Sequence, residues 1–369
     1  MKNISIITIL ALFLGSPSFA IADHHSGGEH QETEAKLKYL EFSEMGNPAD
    51  VIKIKEYSPR PLKSGQVRVK VLAAPINPSD LLQISGNYGV DPVLPSNPGS
   101  EGVGRVVETA ADVKNLTVGQ LVLLASGGTW RDEIVAPAAG FLPLPNMGPL
   151  SDEVIEQLAM SAVNPLTALL MLTSFVDVKK GQWIAQSAAN SAVGGYVIQL
   201  AKQRGIKTVN IVRREGLAEE LKSKGADVVL IDGPDLAAQI AKATGNAPVV
   251  LALDPVGGET YSRLADSLGY SGTLVTYGVL SGQPAILNTG NIIVNDTRLR
   301  GFWLYKWYQS ADMATKQATF GQVIPLIVNG TLKANVDSRY SVDEIKQAVT
   351  RAAERGRNGK VLIVPSAGK

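Results

Sequence analysis

Cysteine is absent from the 369-residue chain, which excludes disulfides, thiolate zinc sites, iron–sulfur clusters and a cysteine nucleophile. Histidine is scarce: His24, His25 and His30 are the only three, and none follows Gln31. The body of the chain is therefore expected to hold neither a Ser–His–Asp triad nor a histidine-liganded catalytic metal. Charge of one sign is not in excess, with 35 Lys and Arg against 34 Asp and Glu, so no footprint for nucleic acid is expected. Beyond the N-terminus there is no apolar run of about 18 residues, which argues against a membrane span. Internal repeats and low-complexity blocks are missing as well. Chemistry must then come from tyrosine, carboxylates, amides, lysine, arginine or a bound cofactor.

What is present is enough to fold. Hydrophobic residues make up 45% of the chain, which excludes disorder for its bulk, and about 150 residues per domain gives two domains. Residues 1–22 read as a signal peptide: Lys2 is the positive start, residues 4–14 are apolar, and Ala20-Ile21-Ala22 is a cleavage site. An uncleaved anchor is the alternative, disfavoured because the apolar run is short. Export to a periplasmic or secreted location is expected, in tension with the cytosolic pools of nicotinamide cofactors. Residues 23–36 form a flexible lead-in. Cleavage after Ala22 would expose Asp23, His24 and His25, whose amine, amides and imidazole make a square-planar set for Cu(II) or Ni(II).

From residue 37 to about 157 the pattern is mostly β, with short β-branched runs such as Val67–Leu72 separated by Gly, Pro and Asn turns. From Gly181 strands and helices alternate: strands are predicted over 183–186, 208–212, 227–231, 249–253 and 273–277. Helices are predicted over 193–204, 217–224 and 236–244, with 260–268 leading to the last strand. That alternation predicts an α/β fold with a parallel, doubly wound sheet. Helices over 311–330 and 342–355 and a strand over 360–364 follow. A parallel-sheet domain would be complete by about residue 307, so residues 308–369 are expected to return to the β domain.

The turn after the first parallel strand is Ser187-Ala188-Ala189-Asn190-Ser191-Ala192-Val193-Gly194. Ala189, Ser191 and Gly194 occupy the glycine positions of the dinucleotide motif G-x-G-x-x-G, which lets the backbone approach a pyrophosphate at a helix N-terminus. Nineteen residues later, where an NAD site has an acid, stand Arg213 and Arg214. Two guanidinium groups there suit a 2′-phosphate, so NADPH is favoured over NADH. Asn77 and Asp80 read as turn and helix-cap residues.

Several strings together resemble one family. They include Asn77-Pro78-Ser79-Asp80, Gly86-Asn87-Tyr88-Gly89, Gly99-Ser100-Glu101-Gly102-Val103-Gly104, Gly128-Thr129-Trp130-Arg131 and Leu299-Arg300-Gly301-Phe302-Trp303-Leu304. From about Leu37 onward the chain resembles the zinc-free medium-chain dehydrogenase/reductases, and among them the mitochondrial-type trans-2-enoyl thioester reductases. The resemblance implies a GroES-like catalytic domain over 37–157, a Rossmann NADPH-binding domain over 158–307, a C-terminal return over 308–369, and a homodimer. It implies Tyr88 as the catalytic residue. It implies cofactor contacts from Asn164, Asn190, Ser191, Ala192, Val193, Arg213, Arg214, Glu215, Tyr277, Gly278, Val279, Leu280, Phe302, Trp303, Leu304 and Lys360. The expected reaction is NADPH-dependent hydride transfer to the β-carbon of an activated C=C bond, most simply an enoyl thioester. Asp254-Pro255-Val256-Gly257-Gly258 resembles the D-x-V-G-G of quinone reductases, which leaves a quinone or alkenal oxidoreductase open. An exported, non-catalytic binding protein on the same fold is the third alternative.

Overall fold

A computed structural model describes residues 36–365. The expected signal peptide, the lead-in up to residue 35 and the Asp23-His24-His25 metal site lie outside the described residues. The chain forms two units, one of residues up to Met160 and from Val336 on, the other Ser161–Asn335.

The first unit is built on antiparallel strands. Strands β1 (Leu37–Glu41) and β2 (Lys53–Tyr57) pair with each other. The main sheet takes β3 (Gln66–Pro75), β4 (Gly102–Thr109), β5 (Leu121–Leu124), β6 (Glu133–Pro137) and β7 (Leu142–Pro143). Alternation in β3 turns Val67, Val69 and Val71 into a core with Val106, Val122 and Phe141, while Lys70 stays exposed. Arg68 breaks the alternation, being buried yet charged. Its guanidinium meets Glu108 at 2.8 Å and Glu133 at 3.5 Å, and both hold the cation beside the β-sheet.

The second unit is a six-stranded parallel sheet. Its strands are β8 (Trp183–Gln186), β9 (Lys207–Val212), β10 (Val228–Ile231), β11 (Val249–Asp254), β12 (Leu268–Thr276) and β13 (Arg298–Gly301), in the order β10-β9-β8-β11-β12-β13. The chain runs outward from β8 to β10 and then returns to β11 on the other side. The order therefore reverses between β8 and β11, the position at which open α/β sheets bind ligands beyond their strand ends. Strand β12 starts five residues earlier than its β-branched run predicts. Ser271 at φ +58° and a register shift between Val249 and Leu251 let Leu268 pair before the irregularity.

The tail corrects the expected boundary. Residues 308–335 belong to the second unit, because the helix Met313–Val328 buries Phe320, Val323, Ile324 and Ile327 and packs on the helix Asn164–Ser174. Only from Val336 does the chain join the first unit. There β14 (Val336–Tyr340) pairs in parallel with β15 (Lys360–Ile363), and β15 lies antiparallel to β3 through Leu362 and Ile363. Between them the expected single helix is a 3-10 turn, Val342–Glu344, followed by the helix Ile345–Ala353. Among the described residues no single helix is long and apolar enough to cross a membrane.

Candidate active site

Most of the expected cofactor residues come together just past the C-terminal ends of the parallel strands. At the end of β8, Ala188 takes a positive φ of +47° and the chain enters the helix Ala192–Arg204. Ser191 caps that helix, its Oγ accepting from the Gly194 N–H at 3.1 Å. A Cβ on Gly194 would lie 2.5 Å from the Ala189 carbonyl oxygen, so the third glycine of the motif is required by close packing of turn and helix. Asn190 is exposed, while Ala192 and Val193 are half-buried beside it.

Backbone hydrogen bonds fasten the neighbouring turns to this one. The fully buried Asp254, at the end of β11, accepts a bond from Ser187 Oγ and another, at 2.7 Å, from the Gly257 N–H. Burial pushes its carboxyl up from the ordinary carboxylate range, partly offset by those two donors. Tyr277 N donates to Asp254 O at 3.0 Å, and Leu280 N donates to Pro255 O at 2.9 Å. The run Tyr277, Gly278, Val279 and Leu280 is thus seated on the Asp254 to Gly258 turn. The Tyr277 hydroxyl is hydrogen-bonded with Ser191, linking this run to the helix cap. Phe302 N donates to Thr276 O at 2.8 Å, and the Phe302 ring meets Phe175 edge-on at 6.1 Å. Trp303 and Leu304 follow it, both half-buried.

Arg213, Arg214 and Glu215 are exposed just past β9, and neither arginine has an ion-pair partner among the described residues. Asn164 is buried at the first turn of its helix. These arrangements fit a bound NADPH: a turn that a Cβ would block, a capped helix N-terminus, and paired cations at the second strand end.

Tyr88 and Lys360 belong to the other unit. Tyr88 is half-buried and follows the helix Pro78–Ile84, between Gly86 at φ +76° and Gly89 at φ +82°. Asn77 and Asp80 do cap that helix, Asn77 N donating to Asp80 Oδ2 at 2.7 Å. What the sequence did not signal is that both are buried together with Glu101 and Lys360. Burial pushes the Asp80 carboxyl up to about 6 and pulls the Lys360 ammonium down to about 8, against the opposing pull of Glu101 and Asp80. The one available signal was Glu101 itself, an acid set between glycines at the start of an apolar strand.

Two family descriptions match: "Alcohol dehydrogenase GroES-like domain" over residues 63–146 and "Zinc-binding dehydrogenase" over residues 192–327. The mitochondrial enoyl-(acyl-carrier-protein) reductase of Homo sapiens is 35% identical over 336 residues, 89% of each chain. The chain belongs to the medium-chain dehydrogenase/reductase family, among its enoyl reductases. In this family the GroES-like domain is the first unit and the Rossmann sheet the second. A solved complex of Etr1p with NADP and crotonyl-CoA superposes with a TM-score of 0.81 at 28% identity, covering 89% of this chain and 99% of that one. A Bacillus thuringiensis protein assigned as an NADPH:quinone reductase gives 0.79 at 30% identity, with the same coverage. The zinc in the family description does not fit this member. It has no cysteine and no histidine after His30, and no group of three His, Cys, Asp or Glu assembles among the described residues.

Proposed function

We propose that the protein is an NADPH-dependent reductase of an activated carbon–carbon double bond, with a trans-2-enoyl thioester as substrate. The observation that carries this reading is the gathering of the Ser191-capped turn, the Tyr277 run and the Arg213–Arg214 pair at one edge of the parallel sheet. The similarity to enoyl reductases of mitochondria, and to a solved complex with NADP and crotonyl-CoA, supports the choice of substrate.

NADPH, when bound, supplies the hydride that reaches the β-carbon. Arg213 and Arg214 hold the 2′-phosphate by charge-assisted hydrogen bonds, and Glu215 borders them. Asn190, Ser191, Ala192 and Val193 approach the pyrophosphate at the helix N-terminus. Asn164, the run from Tyr277 through Gly278, Val279 and Leu280, and Phe302, Trp303 and Leu304 line the nicotinamide side. Tyr88 donates a hydrogen bond to the thioester oxygen as negative charge develops there, or passes its proton to the α-carbon. Hydride at the β-carbon and a proton at the α-carbon complete the saturated thioester.

A quinone or alkenal reductase is the second reading, favoured by the Asp254 to Gly258 string and by the Bacillus thuringiensis neighbour. Purified protein is expected to oxidise NADPH with crotonyl-CoA. Turnover with quinones alone would select the second reading, and no NADPH binding would leave only a binding protein on this fold. In the same assay the double variant Arg213→Ser, Arg214→Ser should raise the KM for NADPH about tenfold or more while moving that for NADH little. A homodimer through the Rossmann unit belongs to the proposal. It is supported by strand β13, exposed along its length at the end of the sheet, by exposed Ile286, Ile293 and Val294, and by the Etr1p/Etr2p heterodimer from Candida tropicalis. Light scattering should give twice the chain mass; a monomer at micromolar concentration would refute it.

A further inference from the structure

We propose that Lys360, through Asn77, Asp80 and Glu101, is a positioning residue for Tyr88 and not a cofactor contact. The inference rests on the reading of Tyr88 as the donor to substrate. Its basis is a buried hydrogen-bond chain drawn from three distant segments. Lys360 Nζ donates to Asn77 Oδ1 at 2.5 Å and to Ile76 O at 3.0 Å. Asn77 Nδ2 donates to Glu101 Oε1 at 2.9 Å, and Asn77 N donates to Asp80 Oδ2 at 2.7 Å. Asn77, Asp80, Glu101 and Lys360 are exposed by only 2%, 3%, 0% and 4%. The Lys360 ammonium is thus turned into the protein, where two acceptors already hold it.

The chain meets the helix Pro78–Ile84 at its N-terminus, and Tyr88 hangs from the opposite end. Seven residues make a helix about 10 Å long, too short to hold its geometry alone. At its far end Ser85 N donates to Leu81 O at 3.0 Å, Gly86 N to Gln83 O at 3.2 Å and Asn87 N to Leu82 O at 2.8 Å. Those bonds make the backbone at Tyr88 a continuation of the helix, so the direction of the helix sets the place of the ring. Ile84 anchors one face in the core with Ile345 and Val349, and the Asn77 hub fixes the entry. Buried ionic groups are poor sources of stability, since apolar residues of similar volume do as well or better. Their directional bonds define one geometry for the entry of the helix, and a reacting group at its exit needs that definition.

The test uses the full chain with Lys360→Met and Asn77→Ser, each alone and combined with Tyr88→Phe. Asn77→Ser keeps every charge and a capping hydroxyl, and it carries the same test should Lys360→Met not fold. Expected are a kcat with crotonyl-CoA lowered about tenfold or more, a Kd for NADPH within about twofold, and no further loss when either is added to Tyr88→Phe. Hydrogen exchange of residues 78–90 in the ligand-free protein should quicken in both variants. A Kd for NADPH raised tenfold with kcat unchanged, or effects that multiply with that of Tyr88→Phe, would overturn the proposal. So would unchanged exchange over 78–90. Exchange is read without substrate, so a parent protein inactive on enoyl thioesters would defeat the functional reading and leave the network separately decided.

Discussion

Tyr88→Phe is expected to lower reduction of the enoyl thioester by about 10²-fold or more, the scale of a lost acid catalyst or oxyanion donor. Hydride addition at the β-carbon moves negative charge onto the thioester oxygen and the α-carbon. In a chain without cysteine, and with no histidine after His30, few groups can answer that charge. A phenol titrating near ~10 is protonated at neutral pH and can donate. Tyr88 stands half-buried between two glycines whose positive φ values turn the backbone on either side of it. Phenylalanine keeps the ring and removes only the donor, so the melting temperature and the affinity for NADPH should stay near those of the parent. Full turnover by the variant, or loss of activity only through unfolding, would show that the hydroxyl has no such role.

Gly194→Ala should remove most NADPH binding and lower stability by about 1–3 kcal/mol, the usual cost of forcing a methyl into a filled space. The added Cβ would sit 2.5 Å from the Ala189 oxygen and 2.7 Å from its carbonyl carbon and Cα. Those are backbone atoms, and the turn has little room to retreat. Ala189 N donates to Ile211 O at 3.1 Å, and Gln186 Nε2 donates to Gly194 O at 3.0 Å. The helix must then move away from the turn, and the turn is the surface offered to the pyrophosphate. Gly195 is the control. A Cβ there meets nothing within 4 Å, so Gly195→Ala should keep the affinity and gain up to about 1 kcal/mol from helix propensity. Equal behaviour of the two variants in thermal unfolding and NADPH titration would refute the argument.

The sequence by itself determined what depends on neighbours along the chain. Apolar runs alternating with helical periods placed β8, β9, β10 and β11 within a residue or so of their ends, because strand and helix periods are local properties. The spacing from Gly194 to Arg213 was equally legible, since one βαβ unit has a nearly fixed length. The residues 308–335 were not: their helix carries an apolar face, and nothing in a face says which of two domains will cover it. The start of β12 escaped because Ser271 takes a left-handed backbone that its side chain does not announce. Least legible was the network around Asn77. Lys360 stands 283 positions beyond it and Glu101 24, each unremarkable in its own surroundings. A charge can be buried only when its partner arrives, and only the tertiary fold, by laying β15 against β3, brought this lysine to these acids.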